Sequence, residues 1–442
     1  ITNSIIITMN SDMEVFPDGY VKIEGTKILE TGPSCDLKET TEELRAAGWQ
    51  IKDGKRGILM PGMVNTHCHL GMIPFRGLGD DCKDRLRVFL LPMEQKAMSR
   101  RMAALSSRYA ICELLLSGVT SVMDMYYFEA AVAQVMDQTG IRGIAGQTLM
   151  DEGGCDASDA DQSLSMAKEL IETYRMHPRI SGCAAPHATN TCSPQILKKA
   201  WELDTANQVP FTLHAAEMDY EMTWLAQTRG CTPVGYLDQL GVLSDQTAAA
   251  HCIHLTDRDI EILRQRGSGV CHCIGSNAKA AKGVAPVLKL LKEGVSVGLG
   301  TDGPASGNTL DLFTQMRLCA GFQKNDSHDR SAMPAKDIVS MATRQGARVL
   351  GLEEKTGSIE PGKEADLVLV ETDSPNMFPV YDPYSALVYS ANASNVRDVY
   401  VAGTCLVQDK KLVYEDFESI RRELSDCMGR SAFGEMQELH RL

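Results

Sequence analysis

The apolar residues of this chain follow three regimes. Up to about residue 58, short alternating stretches such as "SIIITMN" and "GYVKIEGTKILETG" lie between Gly, Asp and Asn turns. This period-two pattern predicts a small antiparallel sheet. From about residue 357 it returns in "TGSIEPGKEADLVLVE", "ALVYSA" and "VRDVYVAGTCLVQDKKLVYE". Between these β-rich ends, apolar runs alternate with stretches of helical spacing, for example "SPQILKKAWELDTAN" and "TDRDIEILRQRG". Eight runs can be counted: "GILMPGMVNTH", "GVTSVMDM", "GIRGIAGQTL", "RISGCAAPHA", "VPFTLHAAE", "TAAAHCIH", "GSGVCHCIGS" and "GVSVGLGTDG". Eight β–α units in a row predict an α/β fold, a (β/α)8 TIM barrel, with both chain ends folding together as a small β-sandwich domain. The expected organisation is 1–58 and 357–415 for the sandwich, 59–356 for the barrel, and 416–442, rich in Glu and Arg with spaced apolar residues, for a C-terminal helical segment.

Composition narrows the class. The 442 residues exceed the roughly 250–300 at which a single core stops growing, in keeping with one large and one small domain. A hydrophobic fraction of 43% and a charged fraction of 23% are those of an ordinary globular protein. The net charge of −14, with both signs interspersed, disfavours nucleic acid as a partner. No apolar run of about 18 residues predicts a membrane span, and no basic–apolar–small leader pattern is present. Fourteen cysteines without a CxxC pair are scattered through apolar runs, among them Cys183, Cys252 and Cys319. They read as buried free thiols of a cytoplasmic protein rather than as a disulfide framework.

The histidines change the picture. His67 and His69 close the first run, and residues i and i+2 of a strand share a face, so both imidazoles can grip one ion while Cys68 points away. His187 ends the fourth run, His214 the fifth with Glu217 just beyond, and His251 the sixth; His272 lies at the seventh and Asp302 closes the eighth. A lone strand histidine is usually structural. Several at the C-terminal mouth of one barrel point to a metal. Cys271 and Cys273 share the face opposite His272 by the same alternation and read as buried strand cysteines.

"PGMVNTHCH", "HAAE", "HCIH" and "GLGTDG", in this order, together with "TGSIEPGKEADLVLVE", resemble the amidohydrolase superfamily. The closer likeness is to its deaminase and chlorohydrolase branch, related to S-adenosylhomocysteine and methylthioadenosine deaminases. The resemblance implies that His67, His69, His214 and Asp302 hold one divalent ion, Zn2+ by preference or Fe2+, with an open position for water. "CAAPHATN" offers no lysine that could bridge a second ion. The resemblance further implies catalytic roles for Glu217 as proton shuttle, His251 as the residue that orients the attacking water, and Asp302 as its proton acceptor. The implied reaction is hydrolytic deamination of an aminated N-heterocycle (a purine nucleoside, a free base or a pterin), with metal-activated water attacking the amino-bearing ring carbon and ammonia leaving. Chloride displacement from a triazine, or opening of a cyclic amide, is the alternative on the same scaffold. A non-catalytic scaffold protein should have lost a ligand or Glu217, and all are present.

On the substrate side the resemblance points to Glu94, where related nucleoside deaminases bind ribose hydroxyls, and to His187 and Ser306. Gln147 stands where some relatives carry arginine. "CHCIGSNAKAAKGVAPV" departs from the pattern "HNPxSNxKLxSGxAPV". His272, Ser276, Asn277 and Lys279 match, whereas Cys273 and Ile274 replace Asn-Pro, which implies a differently shaped loop and an altered ring specificity. Barrel enzymes of this kind suggest a homo-oligomer.

Overall fold

A computed structural model describes residues 1–433. Eight strands form the central barrel: β1 (Met63–Cys68), β2 (Val119–Tyr126), β3 (Arg142–Leu149), β4 (Ile180–Pro186), β5 (Phe211–Ala215), β6 (Thr247–His251), β7 (Gly269–His272) and β8 (Val297–Leu299). Every neighbouring pair within β1–β4 and within β5–β8 is parallel. These strands are buried almost throughout, which is why they read as continuous apolar runs rather than alternating ones. Helices of the predicted spacing follow them, including Pro194–Asn207 and Asp257–Arg266.

Two seams close the ring, and both are stitched by residues singled out above. Between β4 and β5, the His214 amide donates to the His187 carbonyl at 3.0 Å, and Ala188 bridges His214. Between β8 and β1, the Asp302 amide donates to the His67 carbonyl at 3.0 Å. The barrel floor is filled by Val64, Met123, Ile144, Cys183, Ala248, Ala250 and Cys271, and is capped from below by Ala347, Val349 and Leu350.

The expected sandwich of both chain ends takes the form of one continuous eight-stranded sheet. Its middle strand is Ile58–Pro61, paired parallel with Ser4–Ile7 and antiparallel with Leu367–Val370. The first apolar run is therefore two strands, not one: Ile58–Pro61 belongs to the end sheet and Met63–Cys68 to the barrel. The break falls at Gly62, where a Cβ would lie 2.0 Å from Thr120 Oγ1. Only a residue without a side chain lets the chain pass so close to β2. "ALVYSA" also departs from expectation, since Ala386–Ser390 continue the helical turn Pro383–Ser385 capped by Asp382. A short apolar run does not distinguish strand from helix.

Of the C-terminal segment, Phe417–Gly429 is a helix that buries Ile420 and Leu424. It packs on the helix Arg100–Leu116, with Tyr109 and Phe417 ring centroids 4.8 Å apart; residues 434–442 of the expected segment lie outside the described residues. All fourteen cysteines are unbridged, and among the described residues no helix is long and apolar enough to cross a membrane.

Arg142 at the start of β3 ties barrel to sheet. Its Nε and Nη2 donate to Asp366 Oδ2 and Oδ1 at 2.8 and 3.2 Å, with both side chains buried. Removing one partner of a buried pair leaves the other charge uncompensated. Arg142→Met is expected to lower the free energy of unfolding by about 3 kcal/mol, measured by urea denaturation; a loss below about 1 kcal/mol would show the tie to be dispensable.

Candidate active site

The site is built at the C-terminal ends of the barrel strands, where four non-glycine residues adopt left-handed backbone: Ala216, His251, Cys252 and Asp302, with φ of 50, 69, 48 and 58°. Such conformations cost of order 1–3 kcal/mol each and persist where the surroundings impose them. Here they turn the chain away from the strand ends that carry His214, His251 and Asp302.

His67 and His69 reach one face through a change of register in β1, which shifts by one residue against β2 between Asn65 and Cys68. Below the shift Val64 faces the barrel interior; above it both imidazoles do, and Cys68 joins the apolar layer against the helices. The ring centroids of His67 lie 4.8 Å from those of both His69 and His214. Ligand atoms of His67, His69 and Asp302 fall within 4.8 Å of one another, as do those of His67, His214 and His251. His69 Nε2 is 3.2 Å from Asp302 Oδ1, and its Nδ1 is turned to the Met125 carbonyl. His214 Nδ1 is 2.7 Å from the His187 carbonyl oxygen. These backbone contacts fix both rings so that each Nε2 faces the cluster, the usual way a metal-binding imidazole is oriented.

His67 supplies the test of fit. It is wholly buried, and neither ring nitrogen has a hydrogen-bond partner among the described residues. Burial drives its pKa well below the usual imidazole value, so the ring is neutral and carries a free lone pair. A buried, unpartnered nitrogen is costly unless something meets it, and three imidazole donors with a carboxylate are a donor set that suits a divalent ion. The Asp302 carboxyl is held well below its ordinary range: burial opposes this, but His69 and the neighbouring imidazoles prevail. His272 lies outside both groups of ligands, and Cys271 and Cys273 join neither.

Glu217 and His251 stand at the same mouth. His251 Nε2 lies 3.6 Å from Glu217 Oε1 and 3.9 Å from Asp302 Oδ2, and its Nδ1 is 2.8 Å from Asn277 Oδ1. The Glu217 amide donates to Glu221 Oε2 at 3.1 Å, and Lys282 Nζ donates to Glu217 Oε1 at 2.5 Å. Although burial works the other way, His251 and Lys282 hold the Glu217 carboxyl below its usual range. Asn277 was legible in the sequence pattern. Lys282 was not singled out, although it stands where the pattern quoted above has serine.

A cavity of about 430 Å³ opens over these groups, within the range of small-molecule sites. Its floor carries His69, His187, His214, Glu217, His251 and Asp302, and its walls Met72, Leu90, Met125, Tyr126 and Tyr127. Glu94, His187 and Ser306 line it as well. Glu94 accepts a hydrogen bond from the Tyr126 hydroxyl at 2.6 Å, and burial raises its pKa to about 7. Gln147 does not reach the cavity: it is buried in β3, and its amide donates to Asp156 Oδ2 at 3.1 Å. The run Asp80–Leu86, unremarked in the sequence, forms the outer wall. Asp80 fastens it to the loops after β7 and β8 by accepting from Lys279 at 2.7 Å and Asn308 at 3.0 Å.

Known proteins are similar to this one over nearly the whole chain. The chain is 38% identical to the 5-methylthioadenosine/S-adenosylhomocysteine deaminase of Thermodesulfovibrio yellowstonii, covering 94% of each. It is 36% identical to the 5'-deoxyadenosine deaminase of Methanopyrus kandleri, covering 93% of this chain and 96% of that one. The crystal structure of an adenosine deaminase from Xanthomonas campestris with bound zinc superposes with a TM-score of 0.90 over 97% of both chains, at 31% identity. The pattern of the Amidohydrolase family matches residues 58–406, from the middle strand of the end sheet through the entire barrel, and the chain belongs to that family.

Proposed function

We propose that this protein is a metal-dependent hydrolytic deaminase of adenosine-type nucleosides, releasing ammonia from the amino-bearing carbon of the purine ring. The observation that carries this reading is the convergence of His69, His214 and Asp302 with Glu217 and His251 at the floor of one cavity, with His67 packed directly against them. The similar proteins named for deamination of adenosine and its 5'-modified forms supply the substrate class.

His67, His69, His214 and Asp302 would hold a single ion, for which zinc is the choice the donor set favours. A divalent ion bound there supplies a water acidic enough to lose its proton near pH 7. Asp302, ionised and 3.9 Å from His251 Nε2, accepts that proton. His251, fixed through Asn277, holds the attacking oxygen in line. Glu217, protonated when the substrate binds, gives its proton to the ring nitrogen; the proton taken by Asp302 leaves with the amino group as ammonia, and the oxygen now bonded to the ring carbon returns a proton to Glu217. Glu94, His187 and Ser306 contact the substrate, and Tyr126 holds the Glu94 carboxyl in place.

The test is ammonia release from adenosine, 5'-deoxyadenosine, methylthioadenosine and S-adenosylhomocysteine, before chelation, after it, and after reloading with zinc. The expected result is turnover of at least one of these, loss on chelation, recovery with zinc, and a content of about one ion per chain. Zinc-loaded protein inert toward all four nucleosides would overturn the reading.

A further inference from the structure

We propose that Lys282 is a positioning residue for Glu217: its ammonium grips one carboxylate oxygen and leaves the other to work on the substrate. This rests on the deaminase reading above, in which Glu217 carries the proton.

Both side chains line the cavity and both are largely enclosed, with 16% of Lys282 and 13% of Glu217 exposed. Lys282 Nζ donates to Glu217 Oε1, while Oε2 makes no hydrogen bond among the described residues. Two other cations at this mouth are engaged elsewhere. Lys279 is bound to Asp80 and the Ala305 carbonyl, and Arg85 to the carbonyls of Phe75, Leu78 and Ala305. Lys282 is the cation that meets the Glu217 carboxylate.

The backbone places it there. Ala281 is left-handed with φ 52°, and the Lys282 amide returns to the Asn277 carbonyl at 2.9 Å. Gly283 follows with φ 119°, where an added Cβ would meet Ile253 Cγ2 at 3.0 Å. Asn277, on the same short segment, fixes His251. One loop therefore sets the two groups that stand 3.6 Å apart across the mouth. A glutamate has three side-chain torsions, and a carrier free to swing spends little time in line with a ring nitrogen. Glu217 is held from behind by Glu221 at its own amide and from in front by Lys282.

Lys282→Met should lower kcat about 10- to 100-fold while KM stays within about threefold, since misplacement of a catalytic group affects the reacting state rather than binding. Bound zinc should be unchanged. Lys282→Arg, which keeps a cation on a long stem, should recover part of the loss. Adding Lys282→Met to Glu217→Gln should slow that variant no further, because a residue acting only through Glu217 has nothing left to position. A kcat within about twofold of wild type in Lys282→Met, or an additive loss in the double variant, would overturn the proposal. A crystal structure of the zinc-loaded wild type decides it without turnover, and also if Lys282→Met does not fold. Nζ on a Glu217 oxygen supports it, and Nζ turned elsewhere overturns it. A wild type inert on every nucleoside would instead defeat the deaminase reading, with that crystal structure still deciding the placement of Lys282.

Discussion

Glu217→Gln should bind zinc as the unaltered protein does and yet turn over about a thousandfold more slowly, within the range by which positioned acid–base groups accelerate reactions. The substitution is nearly isosteric. Its amide oxygen still accepts from Lys282, so the wall of the cavity and the packing around His251 are retained. What disappears is the ability to take up a proton and give it back. Because Glu217 is not among the four proposed metal donors, metal content should not move, and the loss should fall on kcat. Ammonia release at saturating nucleoside, with metal measured on the same sample, checks this. Turnover within about tenfold of wild type would remove Glu217 from the role of proton carrier.

His214→Ala should have the larger effect, because it takes away the ion itself. His214 is the donor from β5, fixed by the His187 carbonyl, and its ring faces those of His67, His69 and His187. Without it the remaining donors are two imidazoles on β1 and one carboxylate after β8. Metal content should fall from about one ion per chain to near zero, activity should fall below detection, and added zinc should not restore it. Zinc should raise the melting temperature of the wild type and leave that of the variant unchanged, since a ligand stabilises a protein by binding its folded state. A variant that keeps a full complement of zinc would place the ion elsewhere.

The barrel was legible in the sequence because its strands are buried on both faces and so stand out as eight apolar runs, each broken by a helix of clear periodicity. The histidines were legible for a related reason: a polar residue at the end of an apolar strand has few structural explanations, and five such ends have fewer. What escaped was anything that depends on contact across the chain. Gly62 divides one continuous apolar run between two sheets, and nothing local marks the division; it exists because Thr120 packs against the backbone there. Gln147 sits on the expected strand, yet its amide is claimed by Asp156. Lys282 meets Glu217 across 65 residues, and only the fold brings them together. The wall of Asp80–Leu86 is a charged loop in sequence and becomes part of the site once Lys279 and Asn308 tie it down.

The two seams of the barrel bear on how an ion held at this site would be gained and lost. Strands β1–β4 and β5–β8 are separate ladders, and the proposed donors divide evenly between them: His67 and His69 on the first, His214 and Asp302 on the second. Neither half-barrel carries the full set of four donors. An ion held by these four donors would act as a clasp between two halves whose main-chain stitching at the seams is sparse, and part of its binding energy would go into holding the ring shut. Affinity for such an ion would then be a gauge of ring closure, and a substitution far from the cavity that loosens either seam should register first as a protein that leaks metal.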